Sequence, residues 1–311
     1  MRIVIGYDAS SCADAAVNDL RRAALPADTE AVVLSAADLV VEVPYAGYAD
    51  PTSPYHGVPA EIVHQARQRS ATAMRNAAET ASQGADVVAS AFPSWQVTSQ
   101  AVADSAYWSL IDKAEQLHAD LIVVGSHGRS LVGRMMLGSV SQNVLQHASC
   151  SVRVGRCDDT PPDADPDRPT RLVLGIDGST DAALAVEAVG MRKWPAGTEA
   201  HVVTAVDLRL VVSESEGWSA AESAEFPLTH IAQRRAHNVV RQLRAAGLAA
   251  EPVVVEGDPK RVLLHEAERW NADCIFLGAK GHTRRERFLL GSVSAAVAAR
   301  AHCSVEIIRK P

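Results

Sequence analysis

Two glycine patterns of identical spacing carry the residues best suited to chemistry in this chain. Gly125-Ser126-His127-Gly128 is followed after nine residues by Gly138-Ser139, and Gly278-Ala279-Lys280-Gly281 is followed after nine residues by Gly291-Ser292. Each pattern follows an apolar run, Leu121 to Val124 or Cys274 to Leu277, that reads as a strand buried on both faces. Each second Gly-Ser pair opens a helical stretch, with serine as a good N-cap. A strand, a glycine loop and a helix N-terminus together form an anion site. Backbone N–H groups and the positive end of the helix dipole favour phosphate there, and a missing Cβ lets the ligand approach closely. The chemistry expected is phosphate binding, in two copies.

The elements that position these loops are duplicated as well. Arg2 to Ser10 matches Arg171 to Ser179, and Thr29 to Asp38 matches Thr198 to Asp207, both at an offset of 169, whereas the glycine loops are offset by 153. The first copy therefore holds 16 extra residues, assigned to the Pro/Tyr/Gly-rich stretch 44–59. The length of 311 residues fits two ordinary domains. They are read as 1–156 and 171–311, joined by an acidic, proline-rich linker at 157–170. In the second copy, strands at 172–176, 200–206, 251–255, 274–278 and 304–308 alternate with helices at 181–191, about 228–246, 259–270 and 292–301. The first copy follows the same plan, with a long helix at 61–82. This order predicts an open, mainly parallel five-stranded sheet in each domain, with helices on both faces and the ligand at the carboxyl ends of the strands.

Composition narrows the partners. A net charge of -7 gives no general attraction to nucleic acid or anionic lipid, and the basic run His282 to Arg287 lies inside the second glycine loop, where phosphate binding accounts for it. No apolar stretch is long enough to span a bilayer and the N-terminus does not read as a signal peptide, so a cytoplasmic protein is expected. The five scattered cysteines show no metal or disulfide spacing, and Cys150 and Cys303, each just before a final strand, read as core residues. His127, His147 and His302 are solitary, which favours loop or surface roles over metal binding. No P-loop, nucleophile elbow or HExxH helix is present.

Each copy resembles a universal stress protein domain of the ATP-binding subclass, through the G-x-x-G, nine-residue, G-[ST] pattern and the Asp after the first strand. The resemblance covers the chain apart from the linker and the insertion, and the tandem arrangement is similar to two-domain members of the family. It implies two tandem flavodoxin-like, that is Rossmann-like, α/β domains forming an internal pseudo-dimer, with a further homodimer open. It implies ATP as ligand, with Mg²⁺ as its optional companion, unnamed protein partners, and a regulatory role in the stress response. Carried onto this chain, Gly6 and Asp8, and Gly175 and Asp177, would approach the nucleoside, and Ala37 and Val206 would line the adenine pocket. The loop residues Gly125, Gly128, Gly138 and Ser139, and Gly278, Gly281, Gly291, Ser292 and Val293, would hold phosphates, with Arg129 and Lys280 as charge partners.

The copies differ in ways that rank them. Gly257-Asp258-Pro259 in the second resembles the family's G-x-P turn and offers Gly257 as a further close approach, whereas the first has Asp104-Ser105-Ala106 there. That difference and the insertion favour the second copy as the nucleotide site. Asp8 and Asp177 have an alternative reading as helix caps, in competition with Ser10 and Ser179. Ser151 and Ser304 stand where the family has proline, on what reads as an edge-forming strand, a change expected to affect packing alone. A slow ATP hydrolase on the same fold and a nucleotide-free interaction scaffold are the alternative functions.

Overall fold

Continuous apolar runs in this chain alternate with segments of helical period, and the backbone follows them. A computed structural model describes residues 1–37, 60–128, 137–157, 168–207, 228–281 and 290–310. The first domain runs β1 Arg2–Gly6, α1 Ser11–Asp19, β2 Glu30–Ala36, α2 Ala60–Ala91, β3 Gln96–Val102, α3 Ala106–Leu117, β4 Leu121–Gly125, α4 Ser139–His147 and β5 Ser151–Gly155. The second runs β6 Arg171–Gly175, α5 Thr180–Met191, β7 Glu199–Val206, α6 Leu228–Ala245, β8 Ala249–Glu256, α7 Pro259–Trp270, β9 Cys274–Gly278, α8 Ser292–Arg300 and β10 Ser304–Ile308. Helix α2 continues well past the expected end at residue 82. Gly84, which is unfavourable inside a helix, is accommodated because Tyr7 and Val33 press on it: a Cβ there would lie 2.9 Å from Val33 Cγ1 and nearer still to the Tyr7 ring.

Within each domain every strand pairing is parallel, in the Rossmann-like order β3-β2-β1-β4-β5 and its counterpart β8-β7-β6-β9-β10. The strand order reverses between β1 and β4 and between β6 and β9, so the crevice at the carboxyl end of each of these pairs is where a ligand is expected. The two sheets are also one. Strands β5 and β10 pair antiparallel, Val154 opposite Val305, Arg153 opposite Glu306 and Val152 opposite Ile307, making ten continuous strands.

This junction corrects the reading of Ser151 and Ser304 as lying at an edge with an effect on packing alone. Both strands are interior, and Ser151 Oγ accepts from Arg309 N at 3.2 Å, a bond between domains that proline could not make. The true edges are β3 and β8. Pro252 sits in β8, where a missing N–H costs no ladder bond if it faces outward, and it discourages further strand addition.

Alternate residues of each strand feed opposite core layers. On one face Val4, Ile122 and Val152 join Val173, Ile275 and Val305 in a single core covered by α3, α4, α7 and α8, so the domains share it. On the other face Ile3, Ile5 and Val123 pack under α1 and α2, while Leu172, Leu174 and Phe276 pack under α5 and α6. Cys150 and Cys303 are core residues, and burial pushes their thiols up to about 11 and about 12.

Candidate functional site

The turn after the first strand is built alike in both domains. Asp8 Oδ1 accepts from Ser10 N at 3.0 Å and Asp177 Oδ1 from Ser179 N at 2.8 Å, while Ser10 and Ser179 cap α1 and α5 by accepting from Ala13 N and Ala182 N, each at 3.2 Å. The serines therefore take the capping role that was open to the aspartates. The second carboxylate oxygen of each aspartate lies against the glycine loop. A Cβ on Gly128 would sit 2.9 Å from Asp8 Oδ2, and one on Gly281 would sit 2.7 Å from Asp177 Oδ2. A side chain at either glycine would push this carboxylate away.

The glycine loops divide into two kinds of residue. Gly125 and Gly278 serve packing, since a Cβ would meet Cys12 O at 2.8 Å or Ala182 N at 2.6 Å, in the backbone of the neighbouring helix. Ser141 Oγ donates to Gly125 O at 2.6 Å and Ser294 Oγ to Gly278 O at 2.7 Å, fixing the start of α4 and α8 over the strand ends. Gly278→Ala is accordingly expected to lower stability by about 1–3 kcal/mol through overpacking, read as a shifted urea midpoint with an unchanged slope.

The amides of Gly138 and Gly291 donate to Ser126 O and Ala279 O, both at 2.8 Å, so they hold the loop rather than stand open. The first amides of the two helices, Ser139 and Val140 in one domain and Ser292 and Val293 in the other, have no intrahelical acceptor. These amides are the donors that the geometry offers to an anion.

In domain 1 the pieces surround a cavity of about 570 Å³, within the range of small-molecule sites. Gly6, Asp8, Ala37, Gly125, Gly128, Gly138 and Ser139, all named from sequence, line it together. Its walls also include Tyr7, Leu34, Leu110 and His127, and from α2 the residues Ala73, Asn76, Ala77 and Thr80. The α2 residues escaped the sequence reading, although their spacing of i, i+3, i+4 and i+7 with small or polar side chains marks one helical face. Tyr7 donates to Asp14 Oδ1 at 2.5 Å, and burial, then this carboxylate, raises its phenol pKa. His127 Nδ1 lies 3.2 Å from Ser126 Oγ, and its Nε2 is buried without a hydrogen-bond partner among the described residues.

Domain 2 gathers the matching residues but furnishes them differently. Lys280 N donates to Asp181 Oδ2 at 3.0 Å, and Ser179 Oγ donates to Lys280 O at 3.2 Å. Gly257 has φ +146, a backbone that needs glycine, and its amide donates to Val206 O at 3.0 Å. Asp258 then caps α7 by accepting from Lys260 N at 2.9 Å, with Pro259 in the first turn. Gly175 lies under Leu263 and Leu277 as Gly6 lies under Leu110.

The difference between the domains comes from α6. Arg235 donates to Asp177 O and its guanidinium rests against Gly178. The buried residues Ala77, Ala81 and Val88 of α2 share their spacing with Ala232, Ala236 and Leu243 of α6, which puts Arg235 at the place of Thr80. An arginine thus ties down the turn in domain 2 at the position that lines an open cavity in domain 1. A second cavity, of about 680 Å³, runs between α5 and α6 and includes Arg235 in its wall. Arg129, the run 282–287 and the stretch 44–59 lie outside the described residues.

Among the described residues, no group of three or more His, Cys, Asp or Glu is placed to hold a metal ion, and no helix is long and apolar enough to cross a membrane. The family model described as "Universal stress protein family" matches residues 1–156 and again 169–309. The chain belongs to the universal stress protein family. Among its universal stress protein relatives, one from Mycobacterium tuberculosis is 30% identical over 201 residues, 62% of this chain and 62% of the relative's own length. One from Mycolicibacterium smegmatis is 27% identical over 322 residues, covering 99% of this chain and 96% of the relative. The crystal structure of a universal stress protein from Archaeoglobus fulgidus superposes with a TM-score of 0.66 at 18% identity, over 100% of this chain and 98% of that one, and so shares the tandem universal stress protein fold.

Proposed function

We propose that this universal stress protein binds ATP in domain 1 and that occupancy regulates its interactions in a stress response. The observation that carries the reading is the convergence, on one cavity of about 570 Å³, of the Asp8 carboxylate, the side-chain-free Gly128 and the N-terminus of α4. Asp8 suits a ribose hydroxyl, Leu34 and Ala37 suit an apolar base, and the Ser139 and Val140 amides suit phosphate oxygens. Mg²⁺ would enter with the phosphates. Domain 1 is proposed as the principal site, which reverses the order suggested by Gly257 and the insertion, because Arg235 ties down the corresponding turn of domain 2.

The test is mass spectrometry of small molecules released by acid from the purified protein, quantified per chain, with ATP titration of the stripped protein by calorimetry. About one nucleotide per chain is expected, with a raised melting temperature on adding ATP. No release, no heat and no thermal shift would leave an interaction scaffold instead. His127 lines the cavity, and its Nε2, which has no hydrogen-bond partner among the described residues, is proposed to turn to the ligand. His127→Ala should then cost roughly 1.5–3 kcal/mol of binding, about 10- to 100-fold in Kd by calorimetry, as for a hydrogen bond to a charged group.

A further inference from the structure

The sheet junction sets equivalent positions of the two domains face to face. Arg153 and Glu306 are each the third residue of their domain's last strand, in Ser151-Val152-Arg153-Val154 and Ser304-Val305-Glu306-Ile307, and the antiparallel register is centred on them. The approximate twofold relating the domains therefore passes between these two residues. In this register two copies of domain 1 would oppose Arg153 to Arg153, and two copies of domain 2 would oppose Glu306 to Glu306.

Both side chains are fully buried. Arg153 Nη1 donates to Glu306 Oε2 at 2.8 Å and its Nε donates to Asp19 Oδ2 at 2.6 Å. Glu306 also accepts from Arg192, with Nη1 3.1 Å from Oε2 and Nη2 on Oε1. Charge alternates along this row: Asp19 and Arg153 from domain 1, then Glu306 and Arg192 from domain 2. The flanking members have diverged in step. Matching the chain copies pairs Asp19 with Ala188 and Arg192 with Ala23, and Arg192 Nη1 donates to the carbonyl of that same Ala23 at 3.0 Å. Each domain thus gives the row one acid and one base, but a like pair would order the charges minus-plus-plus-minus or plus-minus-minus-plus, with two equal charges adjacent and buried.

We propose that the β5–β10 junction is a heterotypic lock: the face of domain 1 centred on Arg153 accepts domain 2 and rejects a second domain 1, and the Glu306 face behaves conversely. The partner it fits is the unlike domain, from the same chain or from a second copy. This inference does not depend on what the cavity binds.

The test starts from the full chain with a protease site placed within 158–167, cut after folding. The nicked protein, half of it isotope-labelled, is unfolded in urea, mixed and refolded, and its pairs are weighed by native mass spectrometry. Unlike pairs are expected to outnumber like pairs by at least about 100-fold. Like pairs at near-statistical abundance would overturn the lock, as would exclusive unlike pairing in a nicked Arg153→Met/Glu306→Met protein, since shape alone would then choose the partner. On the intact, uncut chain the same two substitutions are made singly and together. The lock requires the double variant to unfold at a higher urea concentration than additivity of the singles gives; strict additivity would overturn it whatever the refolding yield.

Discussion

Replacing Gly138 by glutamate is expected to weaken ATP binding to the whole chain by about 100- to 1,000-fold, while glutamate at Gly291 leaves the principal binding event in place. The backbone at Gly138, φ -64 and ψ 157, suits any residue, and a Cβ there would make only ordinary contacts, 3.4 Å to His127 Cα and 3.5 Å to Ser126 O. The fold therefore tolerates a side chain, and Gly138→Ala serves as the control. A carboxylate carried on it enters the space before the Ser139 and Val140 amides, where phosphate is proposed to sit. Two like charges about 4 Å apart near a protein surface repel by roughly 4 kcal/mol, enough for the stated range. Calorimetry on both variants checks it. Equal loss from Gly291→Glu would return domain 2 to the leading place that Gly257 suggested, and no loss from Gly138→Glu would remove phosphate from the α4 N-terminus.

The second large effect belongs to the junction. Arg153→Met should destabilise the protein by about 3 kcal/mol, the low end of the range for removing one partner of a buried ion pair, because Glu306 retains Arg192. Urea unfolding followed by both near- and far-ultraviolet circular dichroism would measure it. The same network sets an acid limit. Burial pushes the Glu306 carboxyl up, but Arg192 and Arg153 outweigh it and hold the carboxyl below its ordinary value. A group whose folded pKa is depressed contributes stability that is complete above its unfolded pKa, about 4.3, and is lost as pH falls through the folded one. Stability should therefore decline below about pH 4, with a shallower decline in Glu306→Gln.

The element plan was legible because both-face-buried strands read as unbroken apolar runs. Strand 274–278 and helix 259–270 fall where the spacing puts them, and β8 exceeds its expected span by Ala249 and Ala250 at one end and Glu256 at the other. Helix α2 was read short because the reason for Gly84 lies in Tyr7 and Val33, far away in sequence. The glycine spacing located both loops, but the separate duties of Gly125 and Gly128 depend on which atoms stand opposite them, a helix backbone for one and a carboxylate for the other. The ranking of the domains turned on Arg235, a single side chain whose reach to Asp177 depends on how α6 is rotated, and no local pattern encodes that rotation. The final strands were apolar enough to suggest pairing, yet the confrontation of Arg153 with Glu306 follows from register alone.

The antiparallel seam also decides what can touch the two loop clusters at once. All strands of a domain run the same way, and the seam reverses the direction from one domain to the other. The glycine loops consequently open on opposite rims of the sheet, about half a turn apart. A partner placed on the loop rim of domain 1 would leave that of domain 2 unobstructed, so one chain has two unlike faces that two different neighbours could reach simultaneously.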